Sequence, residues 1–96
     1  FVTKLIRFTG DELRLNYSTS AVGFIRVEIQ RPDGEAIEGF RLSDCPEFFG
    51  DKIDGPIRWK STGKLADLAG HAVRLRFVLS DTDLYAFRFV EIEDNL

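Results

Sequence analysis

Polar and apolar residues alternate with a period of two along much of the chain. Over residues 12 to 17, Leu13, Leu15 and Tyr17 share one side while Glu12, Arg14 and Asn16 share the other. That is the pattern of a half-buried β-strand, because successive side chains on an extended backbone point to opposite faces. Residues 23 to 30 repeat it, with Ile25, Val27 and Ile29 against Arg26, Glu28 and Gln30. Arg31-Pro32-Asp33-Gly34 then supplies turn residues, predicting a hairpin into a segment from Glu35 to Leu42. Val73, Leu75, Phe77 and Leu79 against Arg74 and Arg76 predict another strand. Ser80-Asp81-Thr82-Asp83 breaks that pattern before a last strand near Leu84 to Ile92, so a second hairpin is expected.

Shorter strand-like stretches occur at Leu5 to Phe8 and Pro56 to Trp59, and Lys64 to Gly70 has the character of one helical turn ending at a glycine. Ser43 to Gly55 lacks alternation and reads as an irregular loop. Many short strands with no long helix between them predict an all-β fold, an antiparallel two-sheet β-sandwich of jelly-roll or Ig-like type. At 96 residues and 44% hydrophobic content, with nine Phe, the chain can fill one core, so residues 1–96 are read as a single domain.

A net charge of -3 with acids and bases interleaved offers no basic stripe, which argues against nucleic acid as a partner. No apolar run approaches the ~20 residues needed to cross a bilayer, so membrane insertion is not expected. The single Cys45, beside Asp44 and Glu47, reads as an inert thiol. The start at Phe1 and the lack of methionine read as a piece processed or excised from a longer protein.

Candidate chemistry is sparse. Asp44, Glu47, Asp51 and Asp54 place four carboxylates on the irregular segment; they read first as solvated side chains, and alternatively as a calcium site completed by backbone carbonyls. Calcium is the only cofactor the sequence suggests. Trp59, Tyr85 and Phe48, with Asp51 for hydrogen bonding, are the candidate ligand-binding residues, since a flat exposed ring can stack on a sugar face. Trp59 shares its parity with Ile57, which favours a core position over a platform. His71 follows Gly70 in a turn with no second histidine, a poor start for a triad, and no catalytic residue is assigned.

Three stretches carry a resemblance. They are Gly10-Asp11-Glu12-Leu13-Arg14-Leu15-Asn16-Tyr17-Ser18-Thr19-Ser20, then Gly50-Asp51 with Trp59-Lys60, and Leu68-Ala69-Gly70-His71-Ala72-Val73-Arg74-Leu75-Arg76-Phe77 before Asp83-Leu84-Tyr85-Ala86-Phe87-Arg88-Phe89. Together they resemble the C-terminal β-sandwich of large secreted bacterial glycosidase-like proteins akin to glycoside hydrolase family 32 and sialidase-type propeller enzymes. The resemblance implies a non-catalytic accessory domain outside the cytoplasm, packed on a catalytic domain of the same polypeptide. A carbohydrate-binding module and a protein-interaction or adhesion module are the alternatives.

Overall fold

The computed structural model describes residues 1–60 and 63–91. Its core is a three-stranded antiparallel sheet with strand order β2-β1-β3, in which β1 is Glu12–Gln30, β2 is Asp51–Ile57 and β3 is Arg74–Val90. The fold is therefore all-β, with two short 3-10 turns at Leu42–Asp44 and Leu65–Leu68. The second lies inside the stretch expected to hold one helical turn, and Gly70 closes that stretch with φ 83°.

The expected second hairpin does not form. Segments read as separate strands are the two halves of single long strands: β1 pairs with β3 from Glu12↔Val90 to Thr19↔Thr82 and again from Phe24↔Ser80 to Gln30↔Arg74. Between these ladders, residues 20 to 23 of β1 stand against Asp81 alone, which takes φ 45°. The polar run at 80–83 that looked like a turn is thus an irregularity within one strand. Polar side chains fit there because alternation is lost wherever a strand bulges. A second offset leaves Tyr85 as an extra residue of β3 between the pairs Asn16↔Ala86 and Tyr17↔Leu84.

These irregularities bend the ribbon. Nineteen residues at ~3.3 Å each would run roughly 60 Å if straight, yet the longest dimension of the molecule is 39 Å. Phe77 and Phe87, ten positions apart on β3, meet with ring centroids 5.5 Å apart. Trp59, just beyond β2, reaches from the sheet's first half to the carbonyl of Val27 in its second. One sheet folded over itself thus surrounds one core, in which Leu13, Leu15 and Tyr17 join Ile25, Val27, Ile29, Leu75 and Phe77. Of the residues predicted inward by parity in β1 and β3, all but the half-buried Leu79 are buried, each gaining about 1.5–3 kcal/mol from leaving water, whereas Glu12, Glu28 and Gln30, predicted outward, are buried as well.

Irregular segments cover the sheet's edges. Residues 1 to 6 run beside the first half of β3, through bridges Val2↔Arg76 and Ile6↔Val73, and Phe1 stacks on Phe77 at 5.1 Å. Of the strand expected at Leu5 to Phe8, only the bridge at Ile6 forms. On the β1 side, the turn at 31–34 forms as predicted, with the Gly34 amide donating to the Arg31 carbonyl. The returning segment from Glu35 to Leu42, however, makes a single bridge at Ala36 and is not a strand, while Phe48, beyond it, bridges Ile25. Conversely, Asp51 to Gly55, expected to be loop, belongs to β2. Its alternation is hidden because Gly55 occupies an inward position opposite Leu15, where Tyr17 and Lys52 leave no room for a Cβ.

Candidate functional site

A cleft of about 600 Å³ opens where β2 leaves the sheet. Phe40, Ile57, Trp59 and Leu65 give it an apolar floor, and Glu12, Arg58 and Lys64 bring charge to it. Trp59 is held by two contacts. Its indole N–H donates to the Val27 carbonyl at 2.9 Å, and its ring meets Phe40 edge-on with centroids 5.2 Å apart. It is half-buried, so core anchor and cleft wall are the same residue.

Glu12 is the buried charge of the cleft, 5% exposed. Arg14 reaches one of its oxygens at 3.3 Å and Arg58 the other at 3.4 Å. A carboxylate withdrawn from water needs such partners, because desolvation is costly when the charge stands alone. Arg58 and Lys64 are otherwise exposed. A flat, partly apolar ligand bearing hydroxyl groups would fit this combination of aromatic floor and a rim of mixed charge, where Asp11 stands with Arg58 and Lys64.

A second, shallower depression of about 280 Å³ lies on the outer face of the sheet, lined in part by Ile53, Asp54, Ala86 and Arg88. Asp54 is clamped there by two arginines: Arg88 donates through Nε at 3.0 Å and Nη2 at 2.7 Å, and Arg14 donates through Nη1 at 2.9 Å. These hydrogen bonds, Arg88 first, hold the Asp54 carboxyl down at about 2. The network bridges all three strands, since Asp54, Arg14 and Arg88 come from β2, β1 and β3 in turn.

The four acids proposed for calcium are not gathered. Asp44 accepts the Arg41 amide at 3.2 Å, Asp51 accepts the Ser18 hydroxyl, Asp54 is neutralised by its arginines, and Glu47 is exposed. Among the described residues, no three or more His, Cys, Asp or Glu side chains are placed to hold a metal ion. The reason lies in the strand: Asp51 and Asp54 belong to β2, whose extended backbone separates them, whereas a cation needs a loop that curls around it.

The candidate ligand residues are likewise dispersed. Phe48 bridges Ile25 and packs on the core. Tyr85 is exposed on β3, and Asp51 is exposed at the start of β2. Only Trp59 lines the cleft; Glu12, Arg58 and Lys64 were not singled out from sequence, because they read as outward strand or loop charges. Cys45 is buried, accepts the Val27 amide at 3.4 Å and donates to the Pro46 carbonyl at 3.4 Å; burial pushes its thiol up, as expected for an inert group. His71 is exposed in its turn.

Fold and site together define a small all-β domain built on one bent sheet, with an aromatic-floored cleft at its rim. Compared with family models, curated proteins and solved structures, the chain matches none of them.

Proposed function

We propose that this chain is a non-catalytic accessory β-domain of a larger secreted glycosidase-like protein, docking on the catalytic domain of the same polypeptide. In this reading the folded-over sheet plays the part of the two layers of a sandwich. The observation that carries it is a set of large apolar side chains left in solvent around the bend of the ribbon: Ile53 is 85% exposed, Val22 80% and Phe49 70%. The chain brings these positions to one end. Thr19 and Gly50 exchange hydrogen bonds beside the bend, Phe49 precedes Gly50, and Ser18 pairs with Asp51 two residues before Ile53. Apolar side chains grouped at one end are the ordinary mark of a docking surface.

The test is calorimetric titration of this chain into the remainder of its parent polypeptide. Association is expected, weakened at least tenfold by Ile53→Asp or Phe49→Asp, neither of which touches the core. Association indifferent to both substitutions, or turnover of chromogenic glycosides by this chain alone, would overturn the proposal.

The cleft favours a second reading, a carbohydrate-binding module. Its aromatic floor and charged rim suit a sugar ring, with Trp59 as one wall. Saturable binding to a polysaccharide panel, lost in Lys64→Ala and Arg58→Ala, would support this reading over docking. Lys64→Ala is the cleanest of these tests, because Arg58 also pairs with the buried Glu12 and Trp59 also makes a core contact.

A further inference from the structure

We propose that the second half of β3 is a strand-addition edge that pairs antiparallel with the same edge of a second copy of this chain. The two halves of β3 are treated differently. Residues 73 to 77 have the N-terminal segment alongside: Thr3 donates to Leu75, Phe77 donates to Phe1, and Val73 and Ile6 exchange both bonds. From Thr82 to Phe89, β3 pairs only with β1 among the described residues, and its other edge carries no ladder.

Burial records the same asymmetry. Leu13, Leu15 and Tyr17 are buried on β1, whereas their inward-facing partners Phe89, Phe87 and Leu84 on β3 remain half-exposed. Phe8 stacks on Phe89 at 4.0 Å, and Leu84 and Phe87 keep part of their surface in solvent. Such an edge presents unpaired N–H and C=O groups ready to accept another strand.

Charge order selects a second copy as the occupant. Turned antiparallel on itself about a point between Tyr85 and Ala86, the segment Asp83-Leu84-Tyr85-Ala86-Phe87-Arg88 sets Asp83 opposite Arg88 and Leu84 opposite Phe87, each pair twice by symmetry. The faces agree as well. The extra residue at Tyr85 puts Asp83 and Arg88 on the outer face, opposite Ser18 and Arg14, while Leu84 and Phe87 both face the core side. Opposite charges directly across an antiparallel pair attract, and apolar pairs add to them.

Asp54 holds Arg88 through Nε and Nη2 from β2, across β1, so Arg88 meets Asp83 of the other copy by swinging toward the free edge, which leaves Asp54 to Arg14. Because the offset at Tyr85 falls on the two-fold axis, the pairing consists of two short ladders, 83–84 with 87–88, on either side of it. An interface of this kind is isologous and closes at two copies.

Sedimentation equilibrium from micromolar to millimolar concentration tests the proposal, with amide exchange read in parallel. A monomer–dimer equilibrium is expected, with amides of residues 83 to 88 becoming protected as concentration rises. Asp83→Lys, at an exposed position, should weaken the dimer about tenfold or more, because the introduced ammonium faces the Arg88 guanidinium of the other copy twice. Mixing it with Arg88→Glu should restore pairing, because the mixed pair again sets opposite charges across. A chain that stays monomeric at ~1 mM, a dimer with no protection at 83–88, or one indifferent to Asp83→Lys would overturn the proposal.

Discussion

Gly23→Ala tests the bend that organises the molecule. Gly23 sits in the four-residue stretch of β1 opposed by Asp81, and it is buried. A Cβ there would stand 2.6 Å from the Ser80 carbonyl oxygen and closer still to that of Asp81, both of them backbone atoms of a paired strand. Its φ lies outside the left-handed range, so conformation alone would let alanine in and gain about 0.4–1 kcal/mol by restricting the unfolded chain. Steric contact gives the opposite sign: inserting a methyl into filled space that cannot give way costs about 1–3 kcal/mol. The steric cost outweighs the entropic gain, and for a domain of this size each kcal/mol moves the melting temperature by about 4–8 °C. Urea and thermal unfolding of Gly23→Ala should therefore show a net loss of about 1–2 kcal/mol and a Tm lowered by about 4–16 °C. Gly34→Ala is the contrast, since its φ of 91° is unfavourable for alanine while nothing lies within 4 Å of the added methyl. A Gly23→Ala protein as stable as the parent, or more so, would show that β1 and β3 do not meet closely at the bend.

The Asp54 clamp predicts acid sensitivity. The carboxyl is held at about 2 against an ordinary 3.8, so its contribution is complete above pH 4 and is lost as pH falls through 2. In Asp54→Asn that part of the pH dependence should vanish from urea midpoints, and a native Asp54 titrating near 4 by NMR would refute the clamp. Trp59→Phe should cost about 1–3 kcal/mol in urea unfolding by leaving the Val27 carbonyl without its indole partner; an unchanged midpoint would mean that bond is not made. The Cys45 thiol, buried and pushed up by burial, should react with a disulfide reagent only as fast as the chain opens. Immediate labelling of native protein would contradict its placement. Phe77→Ala, at a site 1% exposed where Phe1 and Phe87 converge, should cost about 3–5 kcal/mol by denaturation, and a loss below about 1 kcal/mol would mean the two halves of β3 do not pack together.

Parity along the chain identified the buried residues well, because burial on one face of a strand is written locally. Leu13, Leu15, Ile25, Val27, Ile29, Leu75 and Phe77 all lie where alternation put them. Connectivity was not local in the same way. A turn and a bulge both appear as a polar interruption between alternating runs. At 31–34, Pro32 and Gly34 made the interruption a true turn, whereas Ser80-Asp81-Thr82-Asp83 contains neither residue and the strand passes through it. The first part of β2, Asp51 to Gly55, was missed for another reason: Gly55 removes the apolar signal from a strand whose inward position must stay small beneath Tyr17.

The site was less legible than the fold, for a reason visible in its charges. Asp54 and Arg88 are 34 residues apart, and Glu12 and Arg58 are 46 apart, so nothing in either neighbourhood of the sequence announces the partner. Asp54 therefore looked like one of four loop acids available to a cation, when its lone pairs are already committed to arginines from two other strands. The same long-range pairing explains the cleft. Lys64, Arg58 and Glu12 read singly as surface charges, and only the register of β1 on β2, with Leu13 opposite Ile57, carries Glu12 to the rim beside Trp59. Aromatic residues carried more information than charges here, since the parity shared by Ile57 and Trp59 already pointed the ring inward. What parity could not convey is that a ring pointing inward at the end of a strand both closes the core and walls the cleft beside it.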